Sequence, residues 1–305
     1  VTDRDDGDAP DLAAAPMRAI LAHVEATLAG GAACAWIVVA DPEASRTHYN
    51  GEWVDGVRHR PLRVWVELAD RLGVRLRLRP RPPARLAIGF EALAATPPAG
   101  PARERYGADS ELARIDKAEE PGLVLDLAEA VERAALPPTP RVLELGCGSG
   151  WALALVDELA ADRAPHLVGV DHSPSALAAA RARLGPRAEL HEADLATLPS
   201  LALGRFDLVL AIGVLQSPGV DDRALLRHVV QDRLTATGAV IFGVPNCRYR
   251  DGVLVPGARI RNLRQPELGL VVKDLAFYRK YLQQHDREVW ITGRHYLFVT
   301  GAARR

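Results

Sequence analysis

The sequence predicts an α/β protein: a seven-stranded, mostly parallel sheet closed by an antiparallel hairpin, preceded by a small α/β domain at 12–95. Three observations carry this. Between 141 and 244, short apolar runs alternate with helix-like segments, and a β-α-β rhythm implies a parallel sheet with helices on both faces. The last two strand-like runs are joined by Gly293-Arg294 alone, too tight for a parallel crossover, so they must be antiparallel. The run Thr96-Pro97-Pro98-Ala99-Gly100-Pro101 marks a linker at 96–107 between the two parts.

Residues 1–11 are acidic and polar and read as a disordered tail, the opposite of a signal peptide. Alanine- and leucine-rich 12–28 reads as a helix stopped by Gly30-Gly31. Residues 35–40 (Ala-Trp-Ile-Val-Val-Ala) form a buried-type strand, and polar 41–60 an irregular loop. Residues 61–72 place Leu62, Val66 and Ala69 on one helical face, and Gly73 closes it. Val74 to Arg79 alternates as a half-buried strand does, and 85–92 reads as another. After the linker, 110–117 and 123–136 read as helices, the second ended by Pro137-Pro138-Thr139-Pro140. Strands are then expected at 141–145, 167–171, 187–191, 206–212 and 239–244, with helices near 151–161, 174–184 and 221–234. A long loop (246–270), a helix (272–285) and strands at 287–292 and 295–300 complete the chain.

Composition narrows the function classes. An apolar fraction of 48% supports a real core. A net charge of -1 exerts no overall pull toward nucleic acid or membrane, and no apolar run approaches a membrane span. Cys34, Cys147 and Cys247 lie too far apart for a disulfide framework or a zinc site, so reduced thiols in a cytoplasm and no metal are expected. Lysine occurs only at 117, 273 and 280, so the arginine excess reads partly as coding bias.

The most informative stretch is Arg141-Val142-Leu143-Glu144-Leu145-Gly146-Cys147-Gly148-Ser149-Gly150, an apolar strand running into a glycine turn and then a helix. Such a turn lets a ligand approach the main chain closely. A dinucleotide loop would read G-x-G-x-x-G and cradle a pyrophosphate at the helix N-terminus. Here the third glycine comes one residue early, and acidic Glu144 suits a cationic or amine-bearing ligand. The stretch resembles motif I of the class I S-adenosylmethionine (SAM)-dependent methyltransferases, and the order of strands and motifs over 108–305 extends the resemblance to the family's Rossmann-like layout.

The resemblance implies SAM as cofactor, S-adenosylhomocysteine (SAH) as product, and a set of site residues at the strand ends. Glu144, Gly146, Cys147, Gly148 and Gly150 would form the cofactor loop. Asp171, followed by His172, would accept the ribose hydroxyls. Asp194, flanked by Ala193 and Leu195, would meet the adenine amino group. Ile212, in Ala211-Ile212-Gly213-Val214, would cover the methionine side, and Tyr106 would close over the cofactor. Each has a blander reading: Ser173-Pro174 after Asp171 is a good helix start, Asp194 suits a solvated loop, Cys147 is there for its size, and Tyr106 suits a core.

Methyl transfer from a sulfonium depends mainly on alignment, so family members share no catalytic residue and the acceptor is not written in motif I. The Asn/Asp-Pro-Pro-Tyr motif of amino-directed enzymes and the Pro-Cys nucleophile of cytosine-C5 enzymes are missing, and Cys247 lacks the second cysteine motif that the RNA enzymes carry. Gln216 and Tyr249 are weak catalytic candidates; Gln216, Asn246, Arg248, Tyr249 and Arg261 are candidate acceptor contacts. His228, His285 and His295 have no positional support. Arg75, Arg77, Arg79 and Arg81 at period two read either as a phosphate track or, preferably, as a solvated strand face. The long loop with Arg248, Arg250, Arg259, Arg261 and Arg264 reads as an acceptor contact. The expected acceptor is the O or N atom of a small polar or anionic metabolite, chosen by the N-terminal domain and that loop. Alternatives are an RNA methyltransferase and a SAM-binding protein without transferase activity.

Overall fold

A computed structural model describes residues 6–44, 48–93, 115–217, 219–250, 253–256 and 270–304. All of the expected linker at 96–107, Tyr106 included, and Arg261 lie outside them. Two compact units are present: residues up to Pro97 with Arg248–Pro256, and Pro98–Cys247 with Gly257–Arg305. Among the described residues no helix is long and apolar enough to cross a membrane.

The first unit contains α1 (Met17–Ala29), β1 (Cys34–Ala40), the short hairpin β2 (Trp53–Val54) and β3 (Val57–Arg58), α2 (Leu62–Leu72), β4 (Val74–Arg81) and β5 (Arg85–Ala92). Its sheet runs β1-β5-β4, with both pairings antiparallel. Ile20 and Val24 of α1 and Trp65, Leu68 and Ala69 of α2 bury against Ile37, Ile88 and Phe90. The expected tail is corrected here: Val38 donates to Pro10 O (2.8 Å) and Leu12 donates to Val38 O (2.7 Å), so residues 10–12 satisfy the free edge of β1. That pairing, with extended Pro16 at the cap, delays the helix from 12 to 17.

The arginines of β4 belong to their own sheet. Arg77 donates to Glu91 at 2.9 Å, Arg75 lies 3.7 Å from the same carboxylate, and the Arg79 guanidinium stacks 4.7 Å from the Trp36 ring centre. This is the behaviour of a solvated strand face rather than of an unclaimed phosphate track.

The second unit contains α3 (Pro121–Ala134), β6 (Arg141–Leu145), α4 (Trp151–Leu159), β7 (His166–Asp171), α5 (Pro174–Leu184), β8 (Ala188–Glu192), β9 (Phe206–Ile212), α6 (Asp222–His228) and β10 (Leu234–Pro245). β11 (Cys247–Arg250) and β12 (Val253–Pro256) follow, then α7 (Leu270–Gln284), β13 (Arg287–Thr292) and β14 (Tyr296–Ala303). The seven-stranded sheet has the order β13-β14-β10-β9-β6-β7-β8. β6 to β10 pair in parallel, whereas β14 is antiparallel to both β10 and β13. The core runs through Leu143, Val168, Val209, Phe242 and Val299 to Tyr278 and Leu282 of α7. Strand order reverses between β6 and β9, which opens a crevice at their carboxyl ends.

Two expectations change. The helix expected over 221–234 ends at His228 and continues as one π turn, Val229–Arg233. Buried Arg233 draws the turn inward by donating to Leu198 O (2.7 Å), Leu201 O (2.9 Å) and His228 Nε2 (2.9 Å). The loop expected over 246–270 contains the β11–β12 ribbon, and residues 248–256 group with the first unit, where β12 lies beside α2.

Arg233→Met removes the charged hydrogen bonds to both carbonyls and leaves each with one backbone donor. It should lower unfolding stability by about 2–4 kcal/mol, read from urea denaturation.

Candidate functional site

The site is built at the carboxyl ends of β6 to β9. β6 ends at Leu145, and the chain turns through Gly146 to Gly150 into α4. Gly146 has φ +66, and a Cβ there would stand 2.4 Å from Val214 Cγ2. Gly150 has φ +73, and its Cβ would stand 2.9 Å from Leu184 Cδ1 of α5. Both positions therefore demand glycine for conformation and for space. At Gly148 nothing lies within 4 Å of a Cβ, so that part of the loop is open.

Four of the loop's five amides are spent inside the protein. Gly146 and Cys147 both donate to Val170 O (2.7 and 3.1 Å), Gly150 donates to Cys147 O (2.8 Å), and Gly148 donates to Asp171 Oδ2 (2.8 Å). A phosphate cradle needs N–H groups aimed outward, and these four are not. The loop instead presents a close-packed backbone beside acids.

Asp171 ends β7 and is buried at 7% exposure. Its Oδ1 accepts from Ser173 N (2.9 Å), and Ser173 Oγ caps α5 at Ala176 N (3.3 Å). Asp171 is thus both the helix-start residue of the bland reading and the partner of the glycine loop. Each carboxylate oxygen still has a lone pair to offer a ligand. His172 is exposed, with Nδ1 3.6 Å from Asp171 Oδ1.

Glu144 is 1% exposed, and its Oε2 has no hydrogen-bond partner among the described residues. Burial pushes its carboxyl up to about 8; the Leu153 backbone N–H and the Lys117 charge oppose the rise, and Asp171 adds to it. A buried carboxyl with an orphan oxygen is a costly feature that a cationic ligand relieves.

The remaining residues converge unequally. Ala193 N donates to Asp171 O (2.9 Å), which ties the end of β8 to the end of β7. Asp194 is exposed and its Oδ1 accepts from Ala196 N (2.8 Å), starting a 3-10 turn that includes Leu195. Ile212 is buried at the end of β9, and Gly213 donates to Gly243 O (2.7 Å). Gln216 follows, with Nε2 and Oε1 both buried and both without partners among the described residues. Asn246 is engaged elsewhere: its Nδ2 donates to Arg294 O (3.1 Å), so it holds the β13–β14 turn. Arg248 and Tyr249 lie on β11, and their side chains are outside the described residues. Cys147 and Cys247 are buried, and burial pushes both thiols up, Cys247 to about 11, which removes nucleophilic character. Sequence reasoning missed Lys117 and Tyr296, which meet at this end of the sheet; no local motif marks either residue.

The group SAM would find here fits it: an unpaired buried acid for a cation, a carboxylate with spare acceptors for hydroxyls, and no outward amide nest for phosphate. The raised Glu144 carboxyl also sets a pH signature. Its ordinary value is 4.5, so the folded protein holds a proton that the unfolded chain releases between about 4.5 and about 8. Stability therefore falls as pH rises through that window. Glu144→Gln should remove this slope, so that its advantage over the parent grows by on the order of 3 kcal/mol between pH 5 and 8 in paired denaturation curves.

Residues 142–234 match the family model described as "Methyltransferase domain". A 71-residue stretch is 44% identical to trans-aconitate 2-methyltransferase of Variovorax paradoxus, covering 23% of this chain and 26% of that protein, so the chain matches about a quarter of the relative's length. Among solved structures, a TehB-like SAM-dependent methyltransferase from Corynebacterium glutamicum is similar at 16% identity and TM-score 0.43, over 63% of this chain and 96% of that one. A plantazolicin methyltransferase in complex with a desmethyl analogue and SAH is similar at 15% identity and TM-score 0.49, over 67% and 95%. Residues 142–234 thus carry a methyltransferase domain, and what the larger unit is similar to is the class I SAM-dependent methyltransferases, whose cofactor is S-adenosylmethionine.

Proposed function

We propose that the chain transfers a methyl group from SAM to an O or N atom of a small polar or anionic acceptor. The observation that carries the cofactor half is the buried Glu144 carboxyl with an orphan oxygen, beside a loop four of whose amides are already spent. When bound, SAM supplies an electrophilic methyl on a sulfonium.

In this reading Glu144 receives the cofactor's ammonium. Asp171 accepts the ribose hydroxyls with the lone pairs that Gly148 and Ser173 leave free, and it rejects a phosphorylated ribose by like charge. Asp194 accepts from the adenine amino group, with Ala193, Leu195 and His172 lining the nucleoside. Gly146, Cys147, Gly148 and Gly150 give the backbone approach, and Ile212 covers the methionine side. Tyr106 would close over the cofactor, and Arg248, Tyr249 and Arg261 remain acceptor-side proposals.

For the acceptor, Gln216 is the residue to follow. A buried amide with neither atom paired is unfavourable unless a ligand completes it. It can donate to one acceptor oxygen and accept from one hydroxyl or amine, which aligns the nucleophile for in-line displacement. A small acid as acceptor is consistent with the stretch shared with trans-aconitate 2-methyltransferase. The paired arginines of β4 weigh against an RNA track, and a steep fall of RNA binding with added salt would reverse that weighting. Conversion of SAM to SAH with a panel of carboxylic acids separates transfer from mere cofactor binding.

Asp171→Ala should weaken SAH binding at least tenfold by calorimetry. It should also cost about 1–3 kcal/mol of stability, because it orphans two backbone donors. Unchanged affinity would remove the ribose assignment. Gln216→Leu should leave SAH affinity intact and lower kcat/KM for the acceptor by about 10- to 100-fold.

A further inference from the structure

We propose that Lys117 binds the carboxylate at the amino-acid end of the cofactor, and so makes an intact amino-acid end a condition of tight binding. The proposal rests on the reading that this crevice holds SAM.

Lys117 opens the 3-10 turn Lys117–Glu119, just ahead of α3. The neighbouring Asp116 is committed elsewhere: its Oδ1 accepts from Ala118 N (3.1 Å) and its Oδ2 from Arg183 Nη2 of α5 (3.3 Å). The Lys117 ammonium instead lies 5.6 Å from the Trp151 ring centre and 5.3 Å from that of Tyr296. Trp151 is the first residue of α4, directly after the glycine loop. Tyr296 opens β14 opposite Pro245, the last residue of β10, and its hydroxyl lies 3.8 Å from where a Cβ on Gly213 would stand. The two rings therefore hold the ammonium between the glycine loop and the ends of β9 and β10.

That position matters because of the crevice's charge. Once a ligand's cation has displaced the proton of Glu144, the acids at this end of the sheet suit a ligand's cations and repel its anions. SAM carries a carboxylate beside its ammonium, so a crevice lined by acids alone would bind one end of the zwitterion and expel the other. The charge of Lys117 reaches Glu144 and Cys247. Ring faces steady an ammonium without consuming its N–H groups, which leaves three donors for a carboxylate. Glu144 and Lys117 then form a matched pair across the cofactor's amino-acid end, one sign for each charge.

The experiment titrates the whole 305-residue chain with SAM and with decarboxylated SAM, which keeps sulfonium and amine but lacks the carboxylate. The parent, Lys117→Met and Lys117→Arg are compared by calorimetry, with thermal melts to confirm folding. Lys117→Met should lose ten- to a hundredfold in SAM affinity, the range of a hydrogen bond to a charged group, and change less than twofold toward decarboxylated SAM. Lys117→Arg should retain most of the SAM affinity. Equal loss toward both ligands would overturn the proposal, since Lys117 would then only brace Trp151 and Tyr296; so would unchanged SAM affinity in Lys117→Met. If the parent binds neither ligand, the cofactor reading itself falls with it.

Discussion

The contact on which the site depends is the one between the glycine loop and the end of β7. Val170 O takes two loop amides, and Asp171 takes a third. These bonds decide which way the loop's dipoles point. With its N–H groups turned inward, the loop loses the positive nest that attracts phosphate, and the local field is set by carboxylates instead. The same bonds tie the carboxyl end of β6 to that of its parallel neighbour β7. Ligand preference and sheet geometry are thus consequences of one set of bonds.

The acids themselves are held in different states. Asp171 is anchored by two backbone donors, whereas Glu144 has one donor and an orphan oxygen behind the strand. Burial without full pairing lifts the Glu144 carboxyl. Of the two acids on neighbouring strands, Asp171 is tied to the backbone by both oxygens and Glu144 is the responsive member. The responsive member sits within the field of Lys117, whose ammonium rests on ring faces rather than on a carboxylate.

Much of this was legible in the chain, because it is written in local pattern. Arg141 to Gly150 gave strand, turn and acid together, since a positive φ and a 2.4 Å approach to Val214 leave glycine no substitute. The tight Gly293-Arg294 joint forced the last two strands to be antiparallel, as β13 and β14 are. What escaped is what depends on distant partners. Pro10 to Leu12 carry no strand signal and pair with Val38 because that edge has amides to satisfy. Arg233 looked like a surface residue ending a helix; the carbonyls that draw it inward belong to residues more than thirty positions away. Lys117 stands far from motif I in the chain and reaches it only through folding. Asn246 fitted a substrate-facing loop by position, yet a carbonyl at Arg294 takes its amide.

The grouping of residues 248–256 with the first unit has a consequence for how this protein can be taken apart. The polypeptide passes between its units three times rather than once, so neither half is a cassette with a single seam. Cutting the chain after Pro97 would strip the β11–β12 ribbon of the helix beside it while leaving it attached to the end of β10. Any exchange of the first unit between proteins would have to carry that returning ribbon as well, and insertions or deletions in the two segments would have to remain mutually compatible.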